Sequence, residues 1–181
     1  MPIASVVADA NVLLSTAVGK AALRVFTKFT VRVHVTQFNA DEVAEYLPYM
    51  ASKYELPIEL VDMQWKLLPL QIHRTDKYHS QLPQAIADLK DRDPGDAYAL
   101  ALARSLTVPL WSNDRDLRGL DVECYPTARL LRLLAEEADL LPSVLTRESK
   151  LTPADSARDW LAAPPPRRSS SAAARTRHSQ F

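Results

Sequence analysis

Cysteine is all but missing from this chain. Cys124 is the single one in 181 residues, which excludes an internal disulfide framework and predicts a reducing compartment. Glycine is nearly as scarce, with three residues, and none opens a Gly-rich loop of the kind that cradles phosphate, so neither a P-loop nor a dinucleotide-binding fingerprint is present. No run approaches the roughly 20 apolar residues needed to cross a bilayer. Met1 to Ala8 is apolar but lacks the basic start of a secretory signal, so a cytoplasmic location without membrane contact is expected. His34, His73 and His79 show no ligand spacing with one another or with Cys124, which argues against a zinc site and against a Ser/His/Asp triad. Net charge is missing too: the formal value is zero, so no global basic field announces a nucleic-acid partner.

What is there suffices for a core. Hydrophobic residues make up 47% and charged residues 24%, ordinary for one soluble domain with an appendage. The zero charge also hides an asymmetry. Pro164 to Phe181 carries four arginines and no acid, so the first 163 residues are net acidic. This tail of Ser, Ala and Arg has almost nothing large to bury and is expected to be disordered. Its arginines serve non-specific RNA contact or simple solubility. The expected division is a domain over 1–140, a helical extension over 141–163 with a helix capped by Thr152-Pro153-Ala154-Asp155, and a basic tail over 164–181.

Along the chain, strands and helices alternate. Ile3 to Ala8 reads as a buried strand ending at Asp9, and Asp9-Ala10-Asn11 as a turn into Val12-Leu13-Leu14. A helix is expected from about Gly19 to Phe29, and Val31 to Val35 alternates as a half-buried strand. Thr36 to Met50 carries a helix with Asn39 as N-cap and Glu42 at capping-box spacing, and Pro48 should kink or end it. Pro57 opens another helix to about Lys66, Leu70 to His73 is a short strand, and 76–90 is helical but interrupted at Pro83. Asp93 can cap a helix with Pro94 at its first position. The residues from Asp96 to Leu106 are apolar all round, which predicts a buried helix. Val108 to Trp111 and Val122 to Tyr125 are strands, and Thr127 to Leu140 is a leucine-rich helix. This alternation predicts a three-layer α/β/α fold with a mostly parallel, Rossmann-like central sheet.

In such a fold the carboxyl ends of strands and the adjoining helix starts share one edge, where chemistry collects. Asp9, Glu42, Asp96 and Asp114 all occupy such places. Converged carboxylates repel and raise one another's pKa unless a cation holds them, and hard oxygen donors suit Mg²⁺ or Mn²⁺. Each acid also has a plain structural reading. Glu42 can complete a capping box, Asp93 and Asp96 can favour the positive end of a helix, and Asp114 and Asp116 can be turn residues. Asp9 is the hardest to read this way, because a carboxylate directly after a buried strand is costly unless paired or metal-bound.

Val7-Ala8-Asp9-Ala10-Asn11-Val12-Leu13-Leu14, the Glu42 helix, Asp93-Pro94-Gly95-Asp96-Ala97 and Ser112-Asn113-Asp114-Arg115-Asp116-Leu117 stand in the order of the PIN-domain family, and together they resemble its VapC-like ribonucleases. The resemblance covers roughly Ile3 to Leu134. It implies a Mg²⁺- or Mn²⁺-dependent ribonuclease whose relatives include toxins of toxin–antitoxin pairs. Asp9, Asp96, Asp114 and Asp116 are the implied metal ligands, with Glu42, or Glu45 one turn on, as a further catalytic acid. Asn11, Ser112 and Asp93 are the implied orienting residues. Expected partners are RNA, an antitoxin protein and a second copy of the chain. One departure stands out: Ala10 occupies a place where the family often has Ser or Thr, so a hydroxyl that would help orient Asp9 is missing. Arg92, Arg104, Arg115 and Arg118 are candidates for phosphate contact or simply solvated charges. The competing classes are an inert PIN-like binding module and a phosphotransfer domain. The latter would want a partner Lys that Lys20 and Lys28 are badly placed to supply.

Overall fold

The computed structural model describes residues 3–89 and 95–138. Five short strands, β1 (Ser5–Ala8), β2 (Arg32–Thr36), β3 (Leu70–His73), β4 (Leu110–Trp111) and β5 (Cys124–Tyr125), form one sheet in the order β3-β2-β1-β4-β5. All four pairings are parallel. The chain steps outward from β1 to β2 and β3, then returns to the other side of β1 for β4 and β5. The topological switch therefore lies between β1 and β4, where an open α/β sheet forms its binding crevice.

Among the described residues seven α-helices cover the sheet: α1 (Ala10–Ala17), α2 (Leu23–Lys28), α3 (Gln37–Lys53), α4 (Ile58–Leu67), α5 (Leu82–Asp88), α6 (Asp96–Leu106) and α7 (Thr127–Glu137). The strand pleat sorts them into layers, because successive side chains point to opposite faces. Val6, Ala8, Val33, Val35, Trp111 and Tyr125 pack with α1, α3, α4 and α7 in one core. Val7 and Leu110 face the other way, into a second core with α5 and α6. The α/β/α sandwich expected from the alternation is present. Ala97, Leu100, Ala101 and Leu102 are fully buried, as the all-apolar sequence of α6 predicts. Burying Leu100 and Leu102 contributes about 1.5–3 kcal/mol each.

Several local expectations are corrected. Residues 10–17 are helical where only a turn was expected, because the Asp9 side chain accepts the Val12 N–H at 2.9 Å and so starts α1 at once. The helix expected over 19–29 shrinks to α2. Thr36, not Asn39, caps α3: its hydroxyl accepts the Asn39 N–H at 3.0 Å. Glu42 therefore lies too deep in the helix for a capping box with Asn39. Pro48 does not end α3, which continues to Lys53. The residue before α6 is Gly95, in helical conformation and without a side-chain cap. Asp93, Pro94 and Arg92 lie outside the described residues, as do the extension expected over 141–163 and the basic tail. No described helix is long and apolar enough to cross a membrane.

Candidate active site

Because β1, β2, β4 and β5 are parallel, the helices that follow β1, β2 and β5 begin at the carboxyl edge, and α6 begins there too in order to lead down into β4. Helix N-termini carry partial positive charge and favour acids beside them. Asp9 ends β1, and its N–H donates to the Trp111 carbonyl at 3.2 Å. With Ala8 paired to Trp111, Asp9 and Ser112 leave the sheet side by side at the switch point. Glu42 stands in the second turn of α3 and Asp96 is the first residue of α6. The Phe38 and Tyr98 rings stack with centroids 4.0 Å apart and planes within 5°, tying the start of α3 to the start of α6. Asp96 thus shares an edge with Glu42.

Asp9 is 2% exposed, and its Oδ2 is buried with no hydrogen-bond partner. Its pKa is pushed up to about 7, first by burial and further by the charges of Asp114 and Glu42. The Ser112 hydroxyl and the Val12 N–H offset part of that rise. Like charges therefore converge on a buried carboxyl that has one oxygen to spare. Asn11, in the first turn of α1, is also buried, and its Oδ1 lacks a partner. Orphaned buried oxygens of this kind are rare in folded proteins and call for an explanation.

The block 112–116 is wound by its own side chains. Ser112 Oγ accepts the Asp114 N–H at 2.9 Å, and Asp114 Oδ1 accepts the Asp116 N–H at 2.7 Å. These two turns fix where Asp114 sits. Asp116 ends up exposed and is not among the charges acting on Asp9. Asn113 does structural work: its Oδ1 accepts the Thr127 N–H at 2.9 Å and so caps α7. Glu45 is exposed, whereas Glu42 is half-buried and acts on Asp9, so the nearer of the two helix acids is Glu42.

Other groups separate from this edge. Arg104 lies at the far end of α6, where its guanidinium is held by Asp88 and Asp121. Its expected phosphate role is not supported, since α6 carries it to the opposite edge of the sheet. Cys124 is near the acids, but burial pushes its thiol up to about 11, so it stays protonated. Sequence reasoning gave no role to the Phe38–Tyr98 stack, and nothing short of the sheet order brings those two rings together.

Carboxylates whose charges bear on an unpartnered carboxyl oxygen are the donor type that suits a hard divalent cation. The donors are not fully gathered: among the described residues no group of three or more His, Cys, Asp or Glu side chains is close enough to hold a metal ion. A cation would have to draw Asp96 and Asp114 in toward Asp9.

Fold and site define an α/β domain with acids gathered along the carboxyl edge at its topological switch. The chain belongs to the PIN-domain family, whose model matches residues 7–139; members of that family are generally nucleases. Among solved structures, PAE2754 from Pyrobaculum aerophilum is 16% identical with a TM-score of 0.58, covering 74% of this chain and 91% of that one. A toxin–antitoxin complex from Klebsiella pneumoniae contains a chain 18% identical with a TM-score of 0.49, covering 64% of this chain and 92% of that one. At such identities the likeness concerns the fold alone. No curated protein sequence matches the chain.

Proposed function

We propose that this protein is a ribonuclease that hydrolyses phosphodiester bonds with Mg²⁺ or Mn²⁺ held at the acidic crevice. The observation that carries the reading is the buried Asp9 carboxyl, with an unpartnered Oδ2 and two further acids bearing on it. Buried carboxylate oxygens are normally hydrogen-bonded, and here only Oδ1 is, through the Val12 N–H. Asp9, Asp96 and Asp114 would hold the ion, Glu42 would complete the set as a direct or water-mediated ligand, and Asp116 would join only through water. When bound, the ion supplies water activation and charge neutralisation on the phosphodiester. The protein's own part is to gather and aim the acids, with Ser112 and Asn11 orienting Asp9 and the incoming phosphate. Hydrolysis adds water across the P–O3′ bond, leaving a 5′-phosphate and giving a proton to the 3′-oxygen. Within the family, a role as the toxin of a toxin–antitoxin pair would make a small antitoxin protein the natural partner, and the protein's place of action the cytoplasm.

A second reading, an inert module that binds RNA or protein, is favoured by the dispersed donors among the described residues; Ala10, which brings no hydroxyl to Asp9, bears on the rate of cleavage more than on its existence. The two separate cleanly. Wild type, Asp9→Asn and Asp96→Asn are compared on generic single-stranded RNA with Mg²⁺, Mn²⁺ or EDTA. Cleavage by wild type alone, abolished by EDTA, is expected. EDTA-insensitive cleavage, or full activity in both variants, would defeat the mechanism, and no cleavage under any condition would favour the inert module.

A further inference from the structure

Asn39 is 2% exposed, in the first turn of α3, and belongs to a short chain of polar contacts that ends on Glu42. The Thr36 hydroxyl oxygen accepts the Asn39 backbone N–H at 3.0 Å and lies 2.6 Å from Asn39 Oδ1. That second distance is normal for an O–H donating to oxygen and short for an N–H donor. The hydroxyl proton therefore goes to Asn39 Oδ1. The amide is held in one orientation, with Nδ2 turned toward Glu42 Oε2 at 3.5 Å. Flipping the amide would set oxygen against oxygen at that end. Thr36 is itself fully buried at the end of β2, so the series begins on a rigid strand.

We propose that Asn39, locked by Thr36, is a positioning residue that presents the Glu42 carboxylate to the cation at Asp9. The inference rests on the metal reading above and extends it. The 3.5 Å separation is long for a hydrogen bond, and contacts of this kind often tighten only when the ligand binds. An amide donor on one carboxylate oxygen narrows the rotamers open to Glu42, whose charge bears on Asp9. Partners of metal-ligating carboxylates commonly govern metal affinity by 10–100-fold. The capping bond to the Asn39 N–H explains why a polar residue stands at 36, but not why the residue at 39 is an asparagine.

The test is a Mn²⁺ titration followed by thermal shift and by calorimetry on the full chain, which reads binding without activity. Asn39→Leu and Thr36→Val are each expected to raise the Mn²⁺ midpoint about tenfold, whereas Thr36→Ser, which keeps the hydroxyl, should match wild type. In a double-mutant cycle with Glu42→Gln, the Asn39→Leu effect should largely vanish, because it acts through Glu42. Rates for Thr36→Val should recover at saturating Mn²⁺ with KM for RNA unchanged. Unchanged midpoints in both variants, or effects that simply add to those of Glu42→Gln, would overturn the proposal while leaving the metal site standing. A wild type that shows no Mn²⁺ response would overturn both. Thr36→Val keeps the side chain's shape but also uncaps α3, so if Asn39→Leu fails to fold it is read in the Glu42→Gln background, where a loss of its effect on the midpoint supports the proposal and an additive effect overturns it.

Discussion

Replacing Asp9 by Asn probes the site without RNA or activity. Burial and the neighbouring acids raise the Asp9 pKa from 3.8 to about 7. In the unfolded chain the same carboxyl has its ordinary value. Between about pH 4 and 7 the folded state therefore binds more protons than the unfolded state, and stability falls as pH rises through that window. The displacement is about three pKa units, and at 1.36 kcal/mol per unit it sets an upper value of about 4 kcal/mol. That is a large part of the 5–15 kcal/mol typical of a domain. Asparagine keeps the cap, since its side-chain oxygen can still accept the Val12 N–H, and it never ionises. Urea unfolding of both proteins in EDTA, from pH 4 to 8, isolates the effect of Asp9 and the acids coupled to it as a difference curve in which remote titrating groups cancel. The curve should move in favour of Asp9→Asn by about 2–4 kcal/mol between the two ends. Adding Mn²⁺ at pH 8 should restore wild type and leave the variant unmoved, because a ligand bound only by the native state stabilises it by mass action. A difference curve flat to within about 0.5 kcal/mol, an error typical of such comparisons, would show that Asp9 is solvated or paired, and the argument for a cation would lose its main support.

Three further outcomes are expected. His34 Nδ1 and His73 Nε2 are 2.9 Å apart, and both imidazoles have pKa values lowered first by burial. The unfolded chain then protonates before the folded one as pH falls below about 6.5, and stability should drop with it. This slope opposes that of Asp9, so it is measured in the Asp9→Asn background, where His73→Gln should flatten it and an unchanged slope would count against the pair. Asn113→Ala should cost about 1 kcal/mol by uncapping α7 while leaving the Mn²⁺ midpoint alone; a shifted midpoint would make Asn113 part of the site. Arg104→Met should leave RNA affinity and its salt dependence unchanged, because Arg104 is bound by Asp88 and Asp121 at the opposite edge. A reduced salt slope would mean that RNA reaches that edge.

The fold was legible because its signal is periodic and repeated. Apolar runs of strand length alternate with helical stripes, and only a parallel sheet wrapped on both faces accommodates that order. Local boundaries were less legible where one side chain decides them. Whether residues 10–17 turn or wind into α1 depends on the Asp9 cap, and Thr36 rather than Asn39 starts α3 because its hydroxyl reaches the N–H three residues on. Both residues at α3 are acceptable caps by type, so their order along the helix had to be seen. Pro48 looked like a terminator, yet α3 continues for five residues beyond it. The proline removes one donor, and burial of Leu47, Met50 and Ala51 around it outweighs that loss.

Among the acids, the sequence by itself determined the candidates: a carboxylate after the first strand, acids at two helices and an acidic turn after a later strand. It also determined their chemistry, since these are oxygen donors in a chain with one cysteine and no histidine spacing for zinc. It singled out Asp9 but could not separate neighbouring acids of the same kind. Glu42 and Glu45 differ by one turn, and Asp114 and Asp116 by one residue on either side of a tight bend. Only the tertiary structure turns Glu42 and Asp114 toward Asp9 and leaves Glu45 and Asp116 exposed in solvent. The strand order places β4 beside β1 although about a hundred residues separate them, and burial at that junction is what leaves Asp9 with an unpartnered oxygen. Charge and donor type are properties of residues; convergence and desolvation are properties of the packed chain.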